Sequence, residues 1–579
     1  MTEYNANICV IGGGLAGMCA AISAARHGNR VILVHDRPVF GGNCSSEIRM
    51  WPLGAHGSNR RETGIFEEIV LENMYRNPTR SFPIWDSVLF GKVKGQENLT
   101  SLLNCSVFDA EMENEKITAV YAWQLTTYER YKIAADIFID CSGDSILADL
   151  TGAQYRVGRE ARAEFNESAA PEIADRKTMG HSCLIQARET TRPIKYIAPE
   201  WARKLPSDES LKQRNHRPNL YFNNYWWMEL GGDRDSLKDS EEIRDDLVKL
   251  SFGVWDHVKN RGDHGADNWE LDFASFLPGK RESRRYVGDH ILNQNEVTAG
   301  GKFDDIIAYG GWKIDDHPPA GFEHDGAPTK YYSCPSPFGI PYRCLYSVNI
   351  ENLMFAGRNI SVTHAAMAAS RVMATCAILG QAAGTAASLG IQYGITPRDV
   401  QQHIAELQQQ LMEDDCWLPG LKRKISSVCA SALLEADDAN AEALRNGIDR
   451  PTDDGGDNGC LIPIGGEITY TLAESSFVKE VRIVFDSDLD RKTVNGGVND
   501  VRSNPTMCNR PLDMEPFGFP TTMVDGFELI ADGEVIAQVK ENYQRLVRIP
   551  INREITSLTL RICSTTGDEK AHIFSFDFK

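Results

Sequence analysis

The sequence lacks the features that would place the chain in a membrane or on a nucleic acid. No apolar run approaches 18 residues, which argues against a transmembrane helix. The first seven residues, MTEYNAN, contain no basic segment of the kind that opens a signal peptide. The formal net charge is −20, which disfavours a basic face for nucleic acid or anionic lipid. We therefore expect a cytoplasmic protein with neither partner.

Paired cysteines are also missing. The sequence has 14 cysteines, and none belongs to a CxxC motif. This disfavours zinc, iron–sulfur and dithiol-redox sites. Free thiols in a reducing compartment fit better, and we predict no metal site.

A nucleotide-binding fingerprint is present near the start of the chain. A buried strand over residues 8–11 precedes Gly12-x-Gly14-x-x-Gly17, and a helix rich in small residues and a second strand, RVILV, follow. This order predicts a dinucleotide site in which Gly12 makes the turn, Gly14 admits the pyrophosphate and Gly17 lets the helix pack on the strand. The helix N-terminus would face the phosphates.

The residues after the second strand suggest which nucleotide is bound. An acidic residue for the ribose is expected where His35 stands, so we assign that contact to the next residue, Asp36, with help from Arg37. The loop GGN at residues 41–43 would bring a second backbone segment against the phosphates. Such a second loop is common in FAD-binding folds and unusual in NAD-binding ones, so it favours FAD.

From this loop onward the sequence resembles the FAD-dependent oxidoreductases with a glutathione-reductase-type fold. More narrowly, it is similar to a bacterial branch carrying GGN, SSEIRM and RESRR motifs. Further blocks with this resemblance are FIDCSGDSILADLTGA at residues 138–153, LPGKRESRRYVGDHIL at 277–292 and the segment from NLMFAGRNIS to GQAAGTAASLG at 352–390. The resemblance implies FAD as cofactor.

The fingerprint and the resemblance together predict the following cofactor-binding residues: Gly12, Gly13, Gly14, Leu15, Ala16, Gly17, Asp36, Arg37, Gly41, Gly42, Asn43, Val107, Ser142, Gly143, Asp144, Gly357, Arg358, Arg371, Val372 and Met373.

The predicted fold class is α/β, with a Rossmann-like FAD domain, an inserted α+β substrate domain and a C-terminal all-β sandwich. The resemblance implies that the FAD domain is discontinuous, at 1–155 and 345–395, with the aromatic-rich insertion at 156–344 covering the flavin. A helical linker follows at 396–430. Segments such as GEITYTLAESSFVKEVRIVF alternate with period two, which predicts the β-sandwich at 431–579. Part of it resembles galactose-binding modules.

Three histidines are candidates for the base that a CH–OH dehydrogenase needs near flavin N5. His364 follows the second flavin segment, His317 lies in KIDDHPP and His56 lies in GAHG. Each could instead have a purely structural role, His364 at the start of a helix and the other two in loops. The resemblance implies that the insertion brings His317 over the flavin.

Arginines are candidates for stabilising the reduced flavin or holding a substrate oxygen. Four basic residues stand at 280–285, and we place Arg285 near the flavin or substrate rather than in a solvated turn. Arg371 has the same role at a helix N-terminus. Arg49 either meets the ligand or pairs internally with Glu47. Cys44 is expected to be a buried filler.

These observations predict an FAD-dependent enzyme that oxidises a secondary alcohol of a carbohydrate or glycoside. No second GxGxxG follows a strand between residues 150 and 345, where the similar enzymes that use NAD(P)H carry one. The electron acceptor is therefore left open. The alternatives are a CH–CH dehydrogenase or reductase of the fumarate-reductase kind, in which arginines bind a carboxylate, and a flavin-bearing carbohydrate-binding protein. Trp226 and Trp227 serve either as a sugar platform or as core residues of the insertion.

Overall fold

The computed structural model describes residues 1–57, 59–218, 224–452, 456, 458–489 and 505–579, and these residues form two compact units. The first contains Met1–His56, Thr79–Leu407 and Asn504–Pro516. The second contains Gly57–Pro78, Gln408–Ser503 and Phe517–Lys579. The borders predicted at 155/156 and 344/345 both fall inside the first unit. The first three residues of the aromatic segment YFNNYWWMELGG lie outside the described residues.

The strands are β1 (Thr2–Ile11), β2 (Val31–Val34), β3 (Leu99–Leu102), β4 (Cys105–Glu113), β5 (Lys116–Gln124), β6 (Glu129–Asp140), β7 (Tyr155–Val157), β8 (His181–Ser182), β9 (Ile185–Glu189), β10 (Glu229–Leu230), β11 (Trp269–Ala274), β12 (Gly279–Lys280), β13 (Arg284–Tyr286), β14 (Ile306–Gly310), β15 (Ile314–Asp316), β16 (Lys330–Tyr332), β17 (Phe338–Pro341), β18 (Leu353–Phe355), β19 (Leu433–Ala436), β20 (Cys460–Pro463), β21 (Glu467–Phe485), β22 (Val524–Ala531), β23 (Glu534–Val539), β24 (Leu546–Thr565) and β25 (Lys570–Phe578).

The α-helices are α1 (Leu15–Arg26), α2 (Ile65–Arg76), α3 (Phe82–Lys94), α4 (Ile146–Thr151), α5 (Arg162–Phe165), α6 (Ser240–Asn260), α7 (Gln294–Thr298), α8 (His364–Ser370), α9 (Met373–Tyr393), α10 (Ile404–Glu413) and α11 (Ser427–Ser431).

A mixed sheet organises the first unit. Its order is β3-β2-β1-β6-β5-β4, and β18 pairs with the last residues of β6. Strands β3, β2, β1, β6 and β18 are parallel, whereas β5 and β4 form an antiparallel extension. Residues 8–11 of β1 form a continuous buried apolar run, as is typical of an inner strand of a parallel sheet. The predicted α/β class is confirmed.

Small residues let α1 and α9 pack closely beside this sheet. A Cβ on Gly380 would lie 2.0 Å from the carbonyl oxygen of Ala16, and one on Gly384 would lie 2.2 Å from that of Ala20. The GQAAGTAA motif therefore places two glycines where the helices meet. Helix α9 is apolar and long enough to cross a membrane, but 94% of its most apolar window is buried inside the protein. It is a core helix here.

The segment between β7 and β17 builds a separate core around α6. Buried side chains from α6, including Leu250 and Trp255, pack against β9 and against Tyr225 and Trp227. Short antiparallel sheets, β10-β8-β12 and β11-β9, lie in the same segment. This segment thus combines short strands with one long helix, as an α+β region does.

An antiparallel sheet forms most of the second unit. Its order is β20-β25-β21-β24-β22-β23, with β19 on β21. Alternate residues of the long strands, such as Ile468, Tyr470 and Leu472 in β21, point into its core. Hydrogen bonds join the described strands in one sheet, with register shifts in the β21–β24 pairing. The antiparallel sheet is confirmed, whereas the two-sheet sandwich remains a prediction.

Candidate functional site

A cavity of about 730 Å³ opens at the carboxyl ends of β1, β2 and β6 in the first unit. This is the edge at which open α/β sheets bind their ligands. Every residue predicted to bind the cofactor lines this cavity except Gly17. Gly17 has the packing role assigned to it, because a Cβ there would lie 1.7 Å from the carbonyl oxygen of Gly12.

Two glycine loops form a bare backbone cradle on one wall. Gly12 adopts φ +101°, and a Cβ there would meet the carbonyl oxygen of Cys141 at 2.5 Å. The amide of Gly41 donates to the carbonyl of Gly13 at 2.9 Å, which joins the second loop to the first. A Cβ on Gly14 would contact only Gly42 Cα, at 3.9 Å, and otherwise enter open space. Side chains are therefore absent where a pyrophosphate would approach.

His35 supports the first loop from behind. Its Nδ1 accepts from the amide of Gly13 at 3.0 Å, and Nε2 lies 3.0 Å from the carbonyl oxygen of Val39. One neutral tautomer, with hydrogen on Nε2, satisfies both contacts. The next residue, Asp36, lines the cavity with an exposed carboxylate, where we assigned the ribose contact.

Asp144 joins two cations at the cavity wall. Its carboxylate lies 2.9 Å from Lys280 Nζ and 2.9 Å from Arg358 Nη2. Although burial opposes ionisation, these two cations hold the pKa of Asp144 well below its usual range. Arg358 Nε is buried and has no partner among the described residues. An anionic ligand would accept a hydrogen bond from this nitrogen, so the wall suits an anionic part of the cofactor.

Two more arginines line the other part of the cavity. Arg281 is buried, and its guanidinium donates to Ser182 Oγ and to the carbonyl of Trp226, both at 2.8 Å. Arg371 donates to the carbonyl of Asp315 at 3.1 Å, and its buried Nε has no partner among the described residues. Residues 372 and 373, where α9 begins, line the cavity beside it, so the positive end of the helix dipole adds to this charge.

His317 lies between two carboxylates at the same cavity. Its Nδ1 is 2.6 Å from Glu229 Oε2, and its Nε2 is 3.3 Å from Asp315 Oδ1. Burial works against a charged ring, yet the two carboxylates raise the pKa of His317 above its ordinary value. Burial likewise opposes the charge of Glu229, but Arg281 and His317 lower the pKa of Glu229 to about 2.

His364 is not among the residues that line the cavity. Its Nδ1 lies 2.8 Å from Glu282 Oε2, and its Nε2 lies 3.1 Å from Asp316 Oδ1. Burial opposes the charge, but these carboxylates raise the pKa of His364 to about 10. Arg285 is fully buried in the same network, where it pairs with Glu282 and, at 2.8 Å, with Glu160. The structure therefore does not bring Arg285 to the cavity.

Arg49 and His56 are also not among the residues that line the cavity. The guanidinium of Arg49 donates to Gln186 Oε1 at 2.8 Å and stacks 3.8 Å above the ring of Phe273. These contacts differ from the predicted alternative, an internal pair with Glu47. The His56 ring stacks on Trp312 at 4.2 Å. Cys44 is buried, and burial raises the pKa of its thiol, as expected for a filler.

Aromatic side chains line the cavity near His317. Trp226 meets the His317 ring edge-to-face at 5.4 Å, and Trp51, Trp312 and Tyr331 also line the cavity. Trp227 is instead buried in the core around α6. The two neighbouring tryptophans thus have different environments.

Sequence reasoning missed the carboxylate partners of the histidines. Asp315 and Asp316 precede His317 directly in KIDDHPP, so the acidic pair was a visible signal. Glu229 gave none, because 88 residues separate it from the ring that it contacts.

Comparison with known proteins places these features in a family. A segment of 45 residues is 49% identical to part of a soluble pyridine nucleotide transhydrogenase of Hahella chejuensis (strain KCTC 2396). The aligned segment covers 8% of this chain and 10% of that protein. A geranylgeranyl bacteriochlorophyll reductase-like protein from Thermoplasma acidophilum superposes with a TM-score of 0.31 at 11% identity over 72% of this chain and 84% of that chain. E. coli quinol fumarate reductase superposes with a TM-score of 0.26 at 12% identity, over 71% of this chain and 75% of that chain. None of these matches assigns an activity to this chain.

The FAD dependent oxidoreductase profile matches residues 7–411. This range contains both glycine loops, the cationic wall and His317. The prediction that FAD is the cofactor is confirmed. The chain belongs to the FAD dependent oxidoreductase family.

Proposed function

We propose that this enzyme oxidises a secondary alcohol, and that its substrate is a carbohydrate or glycoside. One observation carries the proposal: a buried histidine held by carboxylates, His317, lines the same cavity as the glycine loops. Oxidation of CH–OH requires a group that accepts the hydroxyl proton, and a positioned histidine supplies it.

The chain's own residues have distinct roles in this proposal. The loops at 12–14 and 41–43 would hold the pyrophosphate, Asp36 the ribose, and the wall containing Arg358 an anionic part of the cofactor. Bound FAD supplies the hydride acceptor. His317 accepts the hydroxyl proton at Nε2, while Glu229 holds Nδ1–H and stabilises the resulting imidazolium.

The lining aromatics support a sugar as the substrate class. Rings such as Trp226 and Trp312 offer apolar faces to the C–H side of a sugar ring, while the charged groups around them bind its hydroxyls. A substrate that displaces water from this cavity would make stronger polar contacts there, because the local dielectric is lower.

The cations favour a second candidate function, the reduction of a carbon–carbon double bond in a carboxylate substrate. Arg281 and Arg371 line the cavity, and the raised pKa of His317 keeps a proton available for donation. Arginine binds carboxylates in a bidentate manner, which suits a dicarboxylic acid.

Anaerobic flavin spectroscopy tests both functions. The oxidised holoenzyme is mixed with monosaccharides and glycosides, and the photoreduced holoenzyme with unsaturated dicarboxylates. Bleaching by a sugar supports the first function, and reoxidation by a dicarboxylate supports the second. If neither panel changes the flavin spectrum, both proposals fail.

The His317→Gln variant then tests the role of the histidine. We expect flavin reduction to slow about 10²–10⁴-fold with FAD still bound. His324→Gln is the matched control, because His324 is an exposed histidine of the same unit. An unchanged rate in His317→Gln would remove the histidine from the mechanism.

A further inference from the structure

A second cluster of polar side chains lies outside the cavity. It consists of Asp208, His216, His257 and His264, and one atom from each lies within 4.8 Å of the others. None of the four lines the cavity described above. The proposed dehydrogenase mechanism does not use them.

Three segments bring the cluster together. Asp208 begins the 3-10 turn Asp208–Leu211, and His216 follows in the next loop. His257 stands in the last turn of α6, and His264 follows after the helix has ended. The segment at 208–216 is thus placed against the C-terminal end of α6.

The distances from the Asp208 carboxylate are close to those between ligands of a tetrahedral ion. Asp208 Oδ1 lies 3.0 Å from Nε2 of His257, 3.5 Å from Nε2 of His264 and 3.8 Å from Nε2 of His216. Ligand atoms about 2.0–2.1 Å from a zinc ion at tetrahedral angles are about 3.3 Å apart. The three observed distances lie on both sides of that value.

Backbone carbonyls orient two of the imidazoles. His257 Nδ1 lies 2.9 Å from the carbonyl oxygen of Leu205, and His216 Nδ1 lies 2.8 Å from that of Arg214. Each Nδ1–H can donate to its carbonyl, which leaves the Nε2 lone pair directed into the cluster. Metal-binding histidines are usually oriented in this way.

His264 contributes a buried ring nitrogen that makes no hydrogen bond within the described ranges. It is 7% exposed, and its Nε2 has no hydrogen-bond partner among the described residues. A Cβ on Gly262 would lie 2.8 Å from this nitrogen, so the glycine keeps the approach to it open.

We propose that these three histidines and Asp208 bind one Zn²⁺ ion. Imidazole nitrogens favour zinc over magnesium and calcium, which prefer oxygen ligands. Four protein ligands close the coordination shell, as in structural zinc sites. The ion therefore holds the loop at 205–216 against α6 and stabilises the core around that helix. The earlier expectation of no metal site considered cysteine spacing, and this cluster contains no cysteine.

Metal titration of the full-length holoenzyme tests the proposal. After treatment with a chelator and dialysis, we expect calorimetry to show one Zn²⁺ bound per chain. Co²⁺ in the same site should give the strong visible d–d bands of a four-coordinate ion, at longer wavelength than the flavin absorption. Weak, octahedral-type Co²⁺ bands or no saturable binding would overturn the proposal.

Two variants and a control identify the ligands. Asp208→Asn alters an exposed side chain, so the fold is retained, and His264→Gln removes the buried nitrogen. Each should weaken Zn²⁺ binding by more than about 100-fold, the upper end of the loss when only an outer partner is removed. His324→Gln should bind like wild type. Equal affinity in all four proteins would show that zinc binds elsewhere.

Unfolding provides a readout that is independent of enzyme activity. Zn²⁺ at 100 times its Kd should raise the folding equilibrium constant of the wild type about 100-fold. The thermal midpoint should then rise in the wild type and in His324→Gln but not in Asp208→Asn. FAD content should be equal in all of them, so failure here would leave the proposed dehydrogenase function untouched. The absence of a zinc-dependent shift in the wild type would contradict the structural role.

Discussion

The Glu229→Gln substitution tests how the candidate base is tuned. Glu229 is fully buried, and its Oε2 lies 2.6 Å from His317 Nδ1. Its other oxygen accepts from the amide of Gly180 at 2.6 Å. Glutamine retains the shape and the acceptor for Gly180, and its amide nitrogen then faces the imidazole. The substitution therefore removes one charge without opening a cavity.

Two effects follow from the lost charge. An opposite charge within about 4–6 Å shifts a pKa by about 1–3 units, so the pKa of His317 should fall by that amount. Only the neutral ring accepts a proton, so flavin reduction rises with pH through this pKa. In the wild type the rise should occur above about pH 6.5, the ordinary histidine value, because the folded pKa is raised. In Glu229→Gln it should occur about 1–3 pH units lower.

The maximum rate should also fall. The side-chain amide introduced by Glu229→Gln donates to Nδ1 of His317, so the ring hydrogen moves to Nε2, the nitrogen nearer Asp315. A neutral ring in that tautomer accepts no proton from a substrate at Nε2, and we expect a loss of about 10²–10⁴-fold at high pH. The assay is anaerobic stopped-flow flavin reduction from about pH 5 to about pH 10, a range that spans the ordinary histidine value, with a sugar that reduces the wild type.

Glu296→Gln is the matched control. Glu296 Oε2 lies 3.0 Å from His290 Nε2, so it forms a carboxylate–histidine pair of similar geometry that does not line the cavity. We expect its pH profile to follow the wild type. An unchanged inflection and rate in Glu229→Gln would refute the assignment of His317 as the base.

Four further outcomes are expected. Gly14→Val should abolish FAD binding, because its side chain would enter the cavity where the pyrophosphate approaches, whereas Gly91→Val, at an exposed position of α3, should purify yellow. Arg285→Ala should destabilise the fold by about 3–5 kcal/mol in urea unfolding, because two buried glutamates lose their partner. The charged His364 stabilises the fold fully below about pH 6.5, and this stabilisation is lost as the pH rises through about 10. The thermal midpoint of the wild type should therefore fall over that pH range, and that of His364→Gln should fall less. NADH should bleach the flavin only slowly in stopped flow; rapid bleaching at micromolar concentrations would contradict the inference from the missing second fingerprint.

The nucleotide-binding half of the site could be predicted because it depends on local backbone requirements. Gly12 needs a positive φ, Gly14 must leave space open, and Gly17 must allow close helix packing. Each requirement is met within a few residues, so sequence order alone indicates it. The same holds for the alternation in β21, whose inward residues follow directly from strand geometry.

The catalytic half depended on contacts that no local pattern specifies. Arg281 and Arg285 are the same residue type and stand four positions apart, yet of the two only Arg281 lines the cavity. The two basic side chains point to different surroundings because the chain turns between β12 and β13. Nothing in GKRESRR distinguishes them.

The sequence by itself determined that the chain has an α/β dinucleotide-binding domain, because a glycine turn between a buried strand and a helix encodes its own geometry. The loop at 41–43 and the family resemblance then indicated FAD. Only the tertiary structure decided which histidine meets the cavity and which histidines gather around Asp208. Glu229 and His317 are 88 residues apart, and His264 lies 56 residues beyond Asp208. The charge on an imidazole depends on what is within a few ångströms of it, and packing of distant segments sets those distances.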